Sequence, residues 1–167
     1  MTLALHGATA AIHDHVAGPG DYDTVVTALR AASKVDIVSE VTRANVRNLA
    51  ALAQWLTEPA WRGKVRRWTL RWPGYPSPGL SLPRLGMVTP RVLHAAAIAR
   101  TAGLEVLTEG FPACVLGPHA EFAATAAPQA YAEVCDGCGA KTTCPGVPPS
   151  YLEAFERDLE LRAIQSL

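Results

Sequence analysis

Strand-like and helix-like segments alternate over the first 109 residues of this 167-residue chain. Four short runs, rich in apolar or β-branched residues, have the length and pattern of strands: 1–5, 35–41, 64–72 and 104–107. Segments with apolar residues at spacings of three and four separate these runs and are typical of amphipathic helices. The alternation predicts an α/β fold with about four parallel strands, right-handed crossovers and helices on one side. Four such strands form half a barrel or a small open sheet.

Glycine and proline indicate where the connections lie. We predict a loop from Gly7 to Gly20 that holds His13-Asp14-His15, either as solvated side chains or as a metal pair. Asp21 is a candidate cap for the helix that follows.

A second connection, rich in Pro, Gly and Ser, extends from Gly74 to Met87 at the end of the third strand. Thr89 followed by Pro90 predicts the start of the next helix, with Thr89 as its cap and Gly103 as its stop.

The third strand alternates between two kinds of side chain. Trp68, Leu70 and Trp72 form the more apolar set and are predicted to face the helices. The opposite set, Arg67, Thr69 and Arg71, then faces either a polar interior with a ligand or open solvent. Two arginines on one face are suited to bidentate contacts with a carboxylate.

Three of the four cysteines, Cys135, Cys138 and Cys144, lie within ten positions in the pattern Cys-x2-Cys-x5-Cys. The short spacing lets both thiols of the Cys-x2-Cys pair turn toward one ion or cluster, which indicates a metal ligand set. Cys114 is the only other thiol and His119 is the nearest upstream imidazole, so either is a candidate fourth ligand. The uneven spacing and the proline after Cys144 favour an iron–sulfur cluster. A structural zinc, which usually has two paired knuckles, is the alternative.

The chain changes character after residue 109, which predicts two parts: a β/α part at 1–109 and a cysteine segment with a final helix at 110–167. A capping box of Ser150 and Glu153 predicts the start of that helix, with Leu159 and Leu161 among its apolar residues.

Charge and hydropathy exclude several classes of protein. Lys and Arg together number 15, as do Asp and Glu, so no overall basic field favours nucleic acid. No run of 18 apolar residues predicts a membrane span. The N-terminal residues lack the basic and apolar regions of a secretion signal, so we predict a reducing, cytoplasmic compartment, where a disulfide framework is not expected.

Four stretches, taken in order, resemble the C-terminal half of a radical S-adenosylmethionine (radical SAM) enzyme followed by a SPASM- or twitch-like auxiliary-cluster segment. They are Leu5-His6-Gly7 with His13-Asp14 and Gly20-Asp21-Tyr22, Val41-Thr42-Arg43-Ala44-Asn45, Gly110-Phe-Pro-Ala-Cys114, and Cys135-x2-Cys138-x5-Cys144-Pro-Gly-Val-Pro-Pro-Ser-Tyr151. The likeness covers nearly the whole chain. It implies a partial (β/α) barrel whose first strand here corresponds to about the fourth of six.

The resemblance also implies roles for single residues. Cys114, Cys135, Cys138 and Cys144 together would ligate an auxiliary 4Fe-4S cluster. Ser39, Thr42 and Arg43, at the end of the second strand, would lie near the methionine or ribose of S-adenosylmethionine. The alternative is that Ser39 and Thr42 only satisfy strand ends. No residue is assigned a catalytic role.

One motif of such enzymes is missing. The chain has no Cys-x3-Cys-x2-Cys, the motif that binds the cluster which cleaves S-adenosylmethionine. The chain alone is therefore expected to be inactive and to need a complementary N-terminal half, or to associate with itself. Completed, it would act on a peptide or small molecule. The alternatives are a non-catalytic iron–sulfur or zinc recognition module and an inactive fragment.

Overall fold

The computed structural model of this chain describes residues 1–73, 83–124, 128–155 and 160–165. Within these ranges the chain forms four strands: β1 (Thr2–Ala4), β2 (Val35–Glu40), β3 (Val65–Arg71) and β4 (Glu105–Glu109). Six α-helices accompany them: α1 (Ala10–Ala17), α2 (Asp21–Ala31), α3 (Leu49–Leu56), α4 (Leu85–Thr101), α5 (Ala113–Leu116) and α6 (Pro149–Phe155). Short 3₁₀ turns lie at Val46–Asn48, Gly117–Phe122 and Glu133–Cys135.

The strands form one parallel sheet in the order β1-β2-β3-β4. Each strand pairs with the next along the chain, so every crossover moves in the same direction. Right-handed crossovers then place the connecting helices on one face of the sheet. The predicted α/β class and the all-parallel sheet are confirmed.

The helix-facing side of the sheet carries the hydrophobic core. Ile37 of β2 and Trp68 and Leu70 of β3 are fully buried, in one cluster with Leu29 of α2 and Leu52 of α3. Trp72, just after β3, is also buried, so the predicted apolar face of the third strand is confirmed. The cluster continues into the cysteine segment through residues such as Phe111, Val147 and Tyr151.

The opposite face of the sheet is built of three rows across the strands. The register aligns Asp36, Arg67 and Glu105 in the first row, Val38, Thr69 and Leu107 in the second, and Glu40, Arg71 and Glu109 in the third. Two charged rows therefore flank one row that is mostly uncharged and apolar. The prediction that Arg67, Thr69 and Arg71 share the face away from the core is confirmed.

The predicted loop from Gly7 to Gly20 is wrong, because helix α1 occupies Ala10–Ala17. The segment is rich in alanine, the best helix former, and it buries the side chain of His13 completely. Asp21 is the first residue of α2 and Gly20 precedes it as the cap. Asp14 of α1 instead accepts the backbone N–H groups of Gly20 and Tyr22, at 3.0 and 2.8 Å.

The predicted helix start at Thr89 is also wrong, because α4 begins at Leu85 and holds Pro90 in its second turn. Leu85 and Val88 are fully buried, and that burial favours the extra turn. The backbone N–H of Leu85 donates to the hydroxyl of Tyr151 at 3.2 Å, which satisfies one otherwise unpaired group of the helix end. Most of the predicted loop at 74–87 lies outside the described residues.

The final helix starts earlier than the capping box predicts, since α6 begins at Pro149 and Ser150 is already helical. Proline is well tolerated at a first helical position because its missing N–H has no partner there. Leu161 lies beyond α6 in non-helical chain, and Leu159 lies outside the described residues. None of the helices in the described ranges is long and apolar enough to cross a lipid bilayer.

Candidate metal centre

Cys114 is placed by a tight turn that follows β4. Gly110 has a positive φ of 81°, and a Cβ on it would lie 2.7 Å from the carbonyl oxygen of Trp72, so only glycine fits this approach. Phe111 then anchors the chain in the core with 1% of its surface exposed. Helix α5 follows and presents Cys114 on its first turn.

The other three cysteines lie on consecutive turns of the chain. The N–H of Cys138 donates to the carbonyl of Cys135 at 3.1 Å, and the N–H of Cys144 donates to that of Ala140 at 2.9 Å. The hydroxyl of Tyr131 donates to the carbonyl of Cys144 at 2.8 Å and fixes the end of this loop.

An antiparallel bridge between Ala130 and Val147 closes the base of the loop. Gly146 lies beside that bridge with a φ of 70°, and a Cβ on it would lie 2.2 Å from the carbonyl oxygen of Ala130. The loop is therefore closed by backbone pairing that tolerates no side chain at position 146.

All four cysteines line one cavity. The other lining residues are mostly apolar and include Tyr131, Val147, Leu161 and Ile164. The structure thus brings Cys114 to the same cavity as the Cys-x2-Cys-x5-Cys motif, about 20 residues further along the chain. Within the described ranges, no group of three or more His, Cys, Asp or Glu side chains is arranged to hold a metal ion.

Backbone N–H groups point at three of the four sulfurs. Cys144 Sγ accepts the N–H groups of Ala113 and Gly146, each at 3.5 Å. Cys138 Sγ accepts the N–H of Ile164 at 3.3 Å, and the backbone N–H of Arg162 lowers the pKa of the Cys114 thiol against the larger effect of burial. Such N–H···S contacts are the kind that stabilise metal-bound thiolates and set the potentials of iron–sulfur clusters.

The thiols differ in how readily they ionise. Burial raises the pKa of Cys114, and the neighbouring thiols of Cys144 and Cys135 add to this effect. Hydrogen bonds from the backbone, with that of Ile164 the largest, lower the pKa of Cys138. Of these two thiols, Cys138 therefore loses its proton to a metal more readily than Cys114 does.

The comparisons with known proteins leave the family open. No family of known proteins, no curated protein and no solved structure matches this chain. What this site could bind is therefore inferred from the residues that line the cavity. Four thiols line an apolar cavity and amides donate to their sulfurs, and thiolates are ligands that zinc and iron–sulfur clusters take, although the side chains of the described residues, as placed here, do not form a metal-holding group.

His119, the other candidate for the fourth ligand, lies elsewhere. It is exposed, stacks on Phe122 with ring centroids 5.8 Å apart, and does not line the cysteine cavity. Of the two candidates for the fourth ligand, only Cys114 lines the cavity that the other three cysteines share.

The residues predicted to lie near S-adenosylmethionine have contacts of their own. The buried hydroxyl of Ser39 donates to the carbonyl of Leu5 and accepts the indole N–H of Trp68 at 2.8 Å. The buried hydroxyl of Thr42 lies 3.2 Å from Asn45 Oδ1, whereas Arg43 is exposed. These contacts give Ser39 and Thr42 a scaffolding role, and their cofactor role stays a prediction.

Arg67 and Arg71, predicted to hold a carboxylate, each pair with one from β4. Arg67 Nη2 lies 2.8 Å from Glu105 Oε1, and Arg71 Nε lies 2.9 Å from Glu109 Oε1. Any external carboxylate would compete with these two glutamates.

Histidines form a second polar cluster, at the carboxyl ends of β1 and β2. The backbone N–H of His6 donates to His13 Nδ1 at 3.0 Å, and His13 Nε2 lies 2.9 Å from Asp21 Oδ2. Since Nδ1 of His13 is an acceptor, its proton lies on Nε2 and points at Asp21. Both ring nitrogens are thus occupied, and His15 lies exposed on α1, so the two histidines do not form the metal pair considered from sequence.

The sequence did not reveal which part of the chain covers the cysteine cavity. Leu161, Arg162 and Ile164 line it from the C-terminal segment. Two of these residues act through backbone N–H groups, which every non-proline residue has, so no pattern of side chains marks them.

Proposed function

We propose that this chain binds a 4Fe-4S cluster through Cys114, Cys135, Cys138 and Cys144. The observation that carries the proposal is that all four thiols line one apolar cavity, although Cys114 is remote in sequence from the other three. The uneven spacing of the cysteines and the proline after Cys144 favour a cluster with four separate iron corners over a single zinc. Bound there, the cluster would supply one-electron chemistry.

We further propose that the chain is the C-terminal part of a radical SAM enzyme that acts on a peptide or small molecule. The sequential order of its four parallel strands supports this role, because successive strands of a (β/α) barrel are neighbours in the same way. The cluster would then be auxiliary, since all its irons have protein ligands. The motif that cleaves S-adenosylmethionine would come from a complementary polypeptide, so the chain by itself is inactive.

The second candidate is a non-catalytic metal-binding module that recognises a partner. The structural reason to keep it is that Ser39 and Thr42 make internal hydrogen bonds at the positions where the cofactor was expected. A neighbouring gene for a protein with Cys-x3-Cys-x2-Cys would favour the enzyme, and one zinc per chain without sulfide would favour the module.

The ligand set is tested by replacing Cys114 with serine and reconstituting the protein with iron and sulfide without oxygen. Cys114→Ser should lower the iron content and loosen the cysteine segment, because metal binding energy is also folding energy for such loops. His119→Ala is the matched control and should keep the wild-type iron content. Unchanged iron in Cys114→Ser would remove Cys114 from the ligand set.

A further inference from the structure

The C-terminal segment 160–164 lies across the cysteine cavity. Leu161 anchors it, with 6% of its surface exposed, and Arg162 and Ile164 line the cavity beside it. The carbonyl of Ile164 accepts the N–H of Gly139 at 2.8 Å. The segment is thus joined to the Cys-x2-Cys turn by a backbone hydrogen bond as well as by burial.

Two amides of this segment reach two cysteines that are 24 positions apart. The N–H of Ile164 donates to Cys138 Sγ at 3.3 Å, and the backbone N–H of Arg162 lowers the pKa of the Cys114 thiol against the larger effect of burial. Residues 162 and 164 are two positions apart, so their amides have the same orientation where the chain is extended.

The start of the segment is held by a different part of the fold. The carboxylate of Glu160 accepts the backbone N–H of Gly86 at the start of α4. It also lies 3.2 Å from the hydroxyl of Tyr151, a side chain buried in the core. The segment is therefore held at both ends, by α4 at Glu160 and by the cysteine turn at Ile164.

We propose that segment 160–164 is part of the metal centre, and that its backbone N–H groups raise the reduction potential of the cluster held by the four cysteines. This inference rests on the function proposed above. An N–H that donates to a thiolate stabilises negative charge on sulfur. That charge increases when the site gains an electron, so the donor favours the reduced form.

Replacing Ile164 with proline tests the proposal, because proline has no N–H to donate. Ile164→Ala is the matched control, since it removes the same side chain and keeps the amide. After anaerobic reconstitution, the potential of each variant is measured by a dithionite titration followed by electron paramagnetic resonance (EPR). We expect the reduction equilibrium constant of Ile164→Pro to be up to about tenfold below that of Ile164→Ala, or about 59 mV for one electron.

A second measurement needs no substitution and covers the case in which Ile164→Pro fails to take up iron. The chain has four isoleucines, Ile12, Ile37, Ile98 and Ile164, and only Ile164 lines the cavity. Pulsed EPR of the reduced wild-type protein labelled with ¹⁵N-isoleucine should show a nitrogen coupling through the N–H···S contact. The coupling should vanish in labelled Ile164→Ala if unlabelled alanine is supplied.

Equal potentials in the proline and alanine variants, or no ¹⁵N coupling in the wild-type protein, would overturn the inference and leave the cluster proposal intact. Wild-type protein that takes up neither iron nor sulfide would overturn the proposed function itself. The two failures are therefore distinguishable in one set of samples.

Discussion

At the scale of single residues, His6 links the ends of the first two strands. Its Nδ1 accepts the backbone N–H of Glu40 at 3.1 Å, and its carbonyl accepts the side-chain amide of Asn45 at 3.0 Å. Its ring stacks on that of His13 with centroids 5.4 Å apart. A proton on Nδ1 would break the contact with Glu40, so the fold requires neutral His6.

Burial, together with the nearby His13, lowers the pKa of His6 from 6.5 to about 4, against a smaller opposite effect of Asp21. The unfolded chain therefore binds more protons than the folded one between these two values. Stability is full above the unfolded pKa and decreases as pH falls toward 4. The free energy of unfolding should drop by about 2 kcal/mol between pH 7 and pH 5 on account of His6.

Urea unfolding at the two pH values measures this drop, with His6→Asn as the comparison. The Asn side-chain oxygen replaces Nδ1 as an acceptor and does not titrate. The variant should be less stable at pH 7 because it is smaller, but its stability should change less between pH 7 and pH 5. A pH dependence equal to that of the wild-type protein would contradict the role given to His6.

The cysteines could be predicted as candidate metal ligands from their spacing, because metal binding by a thiol depends on residue type. The amides of Arg162 and Ile164 were missed because their contribution depends only on where the backbone passes. Ser39 was singled out as a polar strand end, but its burial against Trp68 is set by the pleat and by the neighbouring strand.

At the scale of elements, the face of the sheet away from the core has a partly covered apolar row between two rows of ion pairs. Val38 and Leu107 of that row are neither fully buried nor fully exposed. Ion pairs such as that of Arg67 with Glu105 are partly exposed, and each is worth at most about 1 kcal/mol. The apolar row, rather than the charges, would therefore drive association with a complementary half or a second copy.

Light scattering on the purified chain tests this association. We expect a mass above the 17.7 kDa of one chain, and a return toward that mass in Leu107→Glu, which places a charge in the apolar row. Thr27→Glu, on the exposed side of α2, is the matched control and should associate like the wild-type protein. A monodisperse 17.7 kDa wild-type chain with low binding of a hydrophobic dye would contradict this interpretation of the face.

The positions of elements with a clear apolar repeat could be predicted from sequence, whereas the bounds of elements that depend on contacts with remote residues could not. The strong alternation in β3 gave both its location and its buried face. Helix α1 has only eight residues and a short apolar pattern. The glycine and proline residues around it therefore led to the prediction of a loop. The start of α4 depends on Tyr151, 66 positions away, and no local signal marks it.

At the scale of the whole molecule, one hydrophobic cluster joins the sheet, the helices and the cysteine segment. The sequence predicted the order of strands and helices because each β-α unit is local. It left open whether Cys114 or His119 accompanies the cysteine motif, since that depends on how the chain after β4 packs on the core. The placement of Cys114 at the common cavity is what makes a single four-thiol site a specific proposal.

The iron and acid-labile sulfide content of the wild-type chain, reconstituted without oxygen, tests that proposal most directly. We predict about four iron and four sulfide per chain, as a 4Fe-4S cluster requires. One zinc per chain without sulfide would contradict the cluster and leave the cysteine loop as a structural metal site.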